Sequence, residues 1–404
     1  MRTNLLALVL ALLPAAALAS GDSVPNVNPR DLGLSGSGVA AQRDAAAVYA
    51  NPAALARLDE GLRVSASISA LDIASTWHAP TGPAESDTRF KLAPPGGAFV
   101  SYGTTLRGNR VGFGAGFNVP FGGNVFWEES WPGRFAVTTV DRKVYAGYLN
   151  AAMAAGPRLR IAGGLVYYYT TEYLKQGMDF LGSEGYAEVT TKGGAPAFQV
   201  AAELDVTESV RVGFDYKHQA RQDLEGEAAF HGVPDSLRPS LPDQDVDHPF
   251  TLPNVVDLAV AWQATRDLLV TAAVTLDRYE VYEEDRFTGS AGTEVLVVRN
   301  YRNGWTYRAG VEYRLRPTIE LRAGALRDVS GMRPERFSPS LPDASAWAGS
   351  VGGSWFLRPN MSLDAGFFVA LFDEVNAAGS SFAGTYDIRA EIFSVGFTWR
   401  PAPR

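Results

Sequence analysis

The chain has 404 residues, no cysteine and a formal net charge of -8, and it combines 46% hydrophobic residues with a mean hydropathy of only -0.06. Without cysteine, disulfides and thiolate metal sites are excluded, and an acidic balance without basic blocks excludes a nucleic-acid partner, whose phosphates call for a basic face. High apolar content at near-zero hydropathy means that apolar and polar residues are interleaved along the chain.

In chain order, Arg2 is a one-charge leader, Leu5 to Leu13 form an apolar run, Pro14 breaks it, and Ala17-Leu18-Ala19 gives a small-x-small cleavage pattern. This predicts a secretory signal peptide over residues 1–19 and a mature chain from Ser20. The apolar run is too short to span a bilayer, which takes about 20 residues.

Residues 20–58 differ from all that follows. Gly33, Gly36 and Gly38 permit close packing, Asp44 to Ala50 is helix-prone behind a capping residue, and Asn51-Pro52 ends it. A second short helix is expected through Ala53 to Leu58 with Pro52 at its first position. Some forty small, glycine-rich residues cannot form a core of their own, so this segment is expected to plug the lumen of a barrel formed by residues 59–404.

From there the apolar period is two. Val212, Phe214 and Tyr216 alternate with charged and small residues, as do Val256, Leu258, Val260 and Trp262, then Val311, Tyr313 and Leu315, and finally Phe393, Val395, Phe397 and Trp399. The pattern predicts an all-β fold of about fourteen antiparallel strands, closed because lipid offers no partner to a free edge. Short turns at Gly108-Asn109, Gly156-Pro157, Thr207-Glu208, Arg266-Asp267, Arg316-Pro317 and Pro359-Asn360 mark one rim. Longer polar links near 78–89, 121–134, 175–187, 221–250, 282–300, 328–344 and 373–383 mark the other. Charges on the second face, among them Asp215, Lys217, Glu312, Arg314, Glu320 and Arg322, are expected to form a salt-bridge lattice inside the lumen.

Gly33-Leu34-Ser35-Gly36-Ser37-Gly38 and Asp44-Ala45-Ala46-Ala47-Val48-Tyr49-Ala50-Asn51-Pro52-Ala53-Ala54-Leu55 resemble the hatch of the FadL family of outer-membrane transporters. Asn118-Val119-Pro120-Phe121-Gly122, Trp131-Pro132-Gly133-Arg134-Phe135, Thr251-Leu252-Pro253-Asn254, Trp305 to Tyr313, Leu321-Arg322-Ala323-Gly324 and Ser340-Leu341-Pro342-Asp343 follow in family order. The chain departs from the family at Asp328 to Pro334, in the short link near 175–187, and in a tail that runs on past Trp399.

The resemblance implies a fourteen-stranded transmembrane barrel with a small helical hatch, and passive uptake of long-chain fatty acids or, in some branches, aromatic hydrocarbons. It implies a gate around Asn51, Pro52 and Ala53, whose plainer reading is a helix stop. It also implies an inward kink in the third strand, about Arg110 to Phe121, opening the wall sideways. Gly112, Gly114, Gly116, Asn118 and Pro120 suit a bent, poorly paired strand. Phe121, Phe126, Trp127, Trp131 and Phe135 are candidates for a hydrophobic capture groove, or equally for the interfacial aromatic girdle of such barrels.

The expected partners are a hydrophobic small molecule and the lipid and lipopolysaccharide of a Gram-negative outer membrane, with the chain a monomer and no cofactor or metal. Two rival classes are an outer-membrane enzyme and a general porin. His78, His218, His231 and His248 map to loops or strand ends outside any nucleophile motif, which disfavours the enzyme. The hatch disfavours the porin.

Overall fold

The computed structural model describes residues 23–24, 28–92, 94–378 and 382–400; the expected signal peptide lies outside these described residues. Fourteen antiparallel strands close on themselves. In chain order they are β1 Gly61–His78, β2 Gly96–Leu106, β3 Asn109–Phe126, β4 Thr139–Ala154, β5 Leu159–Asp179 and β6 Glu184–Asp205. Four interrupted strands follow: β7 Val210–Lys217 with Ala220–His231, β8 Gln244–Leu252 with Val255–Gln263, β9 Leu268–Asp277 with Glu284–Gly289, and β10 Glu294–Val298 with Gly304–Arg316. The last four are β11 Ile319–Val329, β12 Ala346–Arg358, β13 Met361–Phe372 and β14 Thr385–Trp399. Pairing of β14 with β1, from Val64 with Trp399 to His78 with Thr385, completes the barrel.

The alternation read from the sequence sets which side chains meet lipid. Leu165, Leu258 and Phe393 are 66%, 55% and 50% exposed on the outside, whereas Glu312, Glu320 and Arg322 on the opposite parity are buried in the lumen. The expected short turns all occur, within a residue or two of their predicted places.

Three of the expected long links are instead largely strand. Residues 175–187 pair as a hairpin with only 180–183 between its arms, and 221–250 and 282–300 carry the outer pieces of β7 to β10. The reason is an inversion of sidedness above the bilayer. In Ala220–His231, Gln222, Leu224, Ala228 and Phe230 face inward and are buried, while Arg221, Asp223, Glu225 and Glu227 face water. Charges at every second position remain compatible with a strand once its outer face meets water instead of lipid.

Inside sit two helical turns, α1 Pro29–Leu32 and α2 Ala47–Ala50, and two 3-10 turns, Ser37–Ala40 and Pro52–Ala56. The helix expected over Asp44 to Ala50 is thus shorter, because Asp44 turns its carboxylate back onto the Ala46 amide at 2.7 Å and occupies the preceding turn. Wall glycines let this segment touch the barrel backbone. A Cβ on Gly324 would lie 2.4 Å from Leu34 C, and one on Gly114 2.3 Å from Val48 Cγ2.

Placing a charge on the lipid face tests the orientation. Leu165→Arg is expected to destabilise folding into phospholipid vesicles by about 2–4 kcal/mol, the depth-dependent penalty near the bilayer midplane, read from urea titrations of vesicle-inserted protein. A loss below about 0.5 kcal/mol would contradict the assignment of that face.

Candidate functional site: a lumen cavity beside a gap in the wall

The site begins with a mismatch of strand lengths. β2 has 11 residues, but its neighbours β1 and β3 have 18 each. Pairing of β3 with β2 ends at Phe117 with Ala98, so the part of β3 from Asn118 onward has no β2 partner. Its register with β4 also slips between Asn118 and Phe121. Gly122 at the slip has φ 154°, and a Cβ there would lie 2.7 Å from Arg142 O, so the backbone path needs glycine. Gly112, Gly114 and Gly116 remain in regular register on both sides. The irregularity therefore falls on the Asn118–Gly122 stretch, where Pro120 supplies no amide to a ladder.

The resulting gap lies between Leu71 and Ile73 of β1 and Asn124 and Phe126 of β3. Two strips of chain cover its polar edges. From the loop after β1, Ser75 and Thr88 exchange hydrogen bonds, Arg89 N donates to Phe126 O at 2.7 Å, and Ser69 N donates to Pro95 O at 2.8 Å. From the N-terminal segment, Val24 N donates to Pro120 O at 2.9 Å, and Ser23 bridges Phe121.

Behind the gap is a cavity of about 130 Å³. One wall is apolar, formed by Val24, Leu71, Phe121, Phe368, Phe372 and Ile392; the other carries Asp31, Lys217, Asp257, Asp277, Arg308 and Asp328. Leu71 borders both cavity and gap.

The hatch forms the floor. Arg30 Nε lies 3.1 Å from Glu312, and Arg43 Nη2 bonds Glu312 and, at 2.8 Å, Glu320. Arg322 joins both carboxylates at 2.7 and 3.1 Å, and Arg314 reaches Glu320 at 3.2 Å. Arg57 meets Glu203 at 2.7 Å. The lattice expected from the wall charges exists, but three of its cations, Arg30, Arg43 and Arg57, come from the hatch, where no strand period marks them.

Asn51 is fully buried, caps the Pro52–Ala56 turn by accepting from Ala53 N at 3.1 Å, and directs Nδ2 toward Ala202 O at 3.5 Å. Carbonyls at the end of α2 are met by wall amides: Asn150 Nδ2 reaches Val48 O at 2.8 Å, and Gln199 Nε2 reaches Tyr49 O at 3.0 Å. These are the carbonyls that a helix end leaves without an internal partner.

The five aromatic candidates separate. Phe121 faces the cavity and Phe126 the gap. Trp127 and Trp131 stack at 4.2 Å in a buried roof with Trp77, Phe337, Phe382 and Tyr386. Their indole nitrogens donate to Pro339 O at 3.1 Å and Val137 O at 2.6 Å. Phe135 is half-buried under the Arg134 guanidinium.

The placement of His248 corrects the expectation that every histidine sits in a loop or at a strand end. It lies inside the outer piece of β8, fully buried, with Nδ1 2.9 Å from Glu172 and Nε2 3.6 Å from Asp285. Arg142 and Arg299 complete this row of charges at 2.5 Å from Glu172 and 2.8 Å from Asp285. Both ring nitrogens face carboxylates rather than a serine or threonine hydroxyl, so the ring ties strands together.

A closed barrel with a bolted internal floor, a roof of outer loops and a cavity beside a gap in its own wall defines a plugged transport barrel. The chain belongs to the outer membrane protein transport protein family (OMPP1/FadL/TodX), whose profile matches residues 10–400. It is an outer-membrane transporter of hydrophobic compounds of the FadL/TodX type. Similar solved structures include a Pseudomonas aeruginosa FadL homologue, with a TM-score of 0.84 at 18% identity over 94% of this chain and 99% of that one. The Ralstonia pickettii toluene transporter TbuX gives 0.69 at 18% identity over 93% and 100%. The P. putida toluene transporter TodX gives 0.72 at 15% identity over 89% and 95%. No curated protein sequence matches the chain.

Leu71, Asp277, Phe368 and Ile392 of the cavity were not singled out from the sequence. Inward parity is the one signal that could have flagged them, and it flags every lumen residue alike.

Removing one carboxylate of the floor lattice tests its role. Glu312→Ala takes from Arg30 its carboxylate partner and from Arg322 one of two, and is expected to lower unfolding stability by about 3–5 kcal/mol, as for breaking a buried ion pair, with faster protease cleavage near residues 28–58. Unchanged stability and cleavage would show that the hatch is held by packing alone.

Proposed function

We propose that the protein carries compact hydrophobic molecules, of the size of a single aromatic ring, passively from the outer loops into the cavity and out sideways through the gap between β1 and β3. The observation that carries this reading is the cavity itself. At about 130 Å³ it is close to the roughly 150 Å³ apolar cavity that takes up benzene in a well-studied soluble protein. An extended fatty acid would need the cavity to enlarge. That TbuX and TodX are toluene transporters agrees with a single-ring substrate.

In this reading the driving force is burial of apolar area, about 25 cal/mol per Å². Trp127 and Trp131, stacked in the buried roof, hold the outer loops over the path, Phe135 lies beside them, and Phe121 and Phe126 line the path. The kink at Asn118 and Pro120 keeps the gap open, with Gly112, Gly114 and Gly116 admitting the hatch and β2 against the strand below it. The gate is local. The strip at Ser23 and Val24 leaves Pro120 and Phe121, and the turn at Asn51, Pro52 and Ala53 adjusts beneath it, while the ion-paired floor stays in place.

Uptake of labelled toluene and labelled oleate by cells lacking their own transporter tests this. Cells expressing the protein are expected to take up toluene at least about fivefold faster than control cells, with a smaller gain for oleate. Leu71→Trp, which fills the border between cavity and gap, is expected to return toluene uptake to the control rate. Oleate uptake that exceeds toluene uptake would overturn the compact substrate. Full toluene uptake by correctly inserted Leu71→Trp would overturn the route.

A further inference from the structure

The polar wall of the cavity is rich in acceptors. Asp31, Asp257, Asp277 and Asp328 line it against Lys217 and Arg308. Most of these charges have partners. Asp31 takes Gln42 Nε2 at 2.9 Å, Asp257 takes Thr275 Oγ1 and has Arg308 at 3.9 Å, and Asp328 takes Thr306 Oγ1 at 2.7 Å. Lys217 is held by Asp215 at 2.5 Å and lies over the Tyr49 ring, and Arg308 bonds Thr275. Asp277 differs. It ends the lower piece of β9, is 3% exposed, lines the cavity, and makes no side-chain hydrogen bond or ion pair among the described residues.

A buried carboxylate without a donor is costly, and a ligand that brings a donor relieves that cost on binding. A ligand carboxylate would instead meet a surplus of like charge in a site of low dielectric. We infer that the cavity selects single-ring compounds bearing a hydroxyl or ammonium donor over those bearing a carboxylate, with Asp277 as the acceptor that reads the donor. The ring would lie against Phe121, Phe368 and Ile392, and the substituent would point across the cavity to β9. This inference rests on the proposed role of the cavity as the substrate site and adds the class of substituent to it.

The test uses the full barrel in lipid nanodiscs, with empty nanodiscs as the partition reference, and fluorine NMR titration of four size-matched probes: 4-fluorobenzyl alcohol, 4-fluorobenzylamine, 4-fluorotoluene and 4-fluorobenzoate. The alcohol and the amine are expected to bind at least about tenfold more tightly than the benzoate, since a site with an unmet hydrogen-bonding group discriminates strongly. Asp277→Val is expected to weaken alcohol and amine by about tenfold while 4-fluorotoluene binds as well as before or better. Asp277→Asn, which keeps an acceptor oxygen but removes the charge, is expected to hold the alcohol and lose the amine. Heat-modifiable gel migration of each variant reports that the barrel is closed. Benzoate binding as tightly as the alcohol, or alcohol and amine binding unchanged in Asp277→Val, would overturn the inference while fluorotoluene binding left the cavity reading intact. No binding of any probe above empty nanodiscs would overturn both.

Discussion

Lipid cannot hydrogen-bond a peptide group, and that constraint shapes the whole molecule. It requires the sheet to close, which β14 and β1 do, and it makes any gap in the wall a problem to be covered. Here the gap comes from a second strand seven residues shorter than either neighbour. The freed backbone groups at Ser69, Phe126 and Pro120 are met by partners from the loop after β1 and from the N-terminal segment. A path for apolar molecules can therefore exist without leaving a raw sheet edge in the bilayer. The strip at Ser23 and Val24 is the lighter of the two covers, with one backbone bond to Pro120 and one bridge to Phe121.

The same economy governs the lumen. A floor of four short turns has too little apolar area to hold itself together, and the wall supplies what it lacks. Glycines on several strands bring barrel and hatch backbones into contact, Asn150 and Gln199 meet the carbonyls that end α2, and Glu312, Glu320 and Glu203 bind three hatch arginines. Because those carboxylates are buried, each needs its cations, which ties the hatch position to the integrity of the wall. The cavity above inherits an uneven character, apolar toward the gap and acidic toward β8 to β11.

Much of this was legible in the sequence, for a physical reason. Lipid outside and charge inside force a period of two on every spanning strand, so the barrel, the strand count and the lumen lattice around Glu312 and Arg322 could be read directly. Where the solvent outside changes, the reading failed. The segments 221–250 and 282–300 look like polar loops because their outward residues face water above the bilayer, although their inward residues, such as Leu224, Val246 and Phe287, are as buried as any core. His248 was misplaced for the same reason. The register slip falls where Asn118 and Pro120 suit a poorly paired strand, but the shortness of β2 beside it was not legible. Asp277 and Leu71 were invisible, since a residue's parity says that it points inward and nothing about what stands across the lumen.

On the proposed route, substrates leave sideways while the floor stays fixed. In this cysteine-free chain that route can be tested with one engineered bond. Ser35 Oγ on the hatch lies 2.8 Å from Ser350 Oγ on β12, so Ser35→Cys with Ser350→Cys would lock the floor to the wall under oxidation. Toluene uptake that continues at the reduced protein's rate after oxidation is the predicted result; uptake that stops on oxidation and returns on reduction would place the route through the hatch and contradict the account.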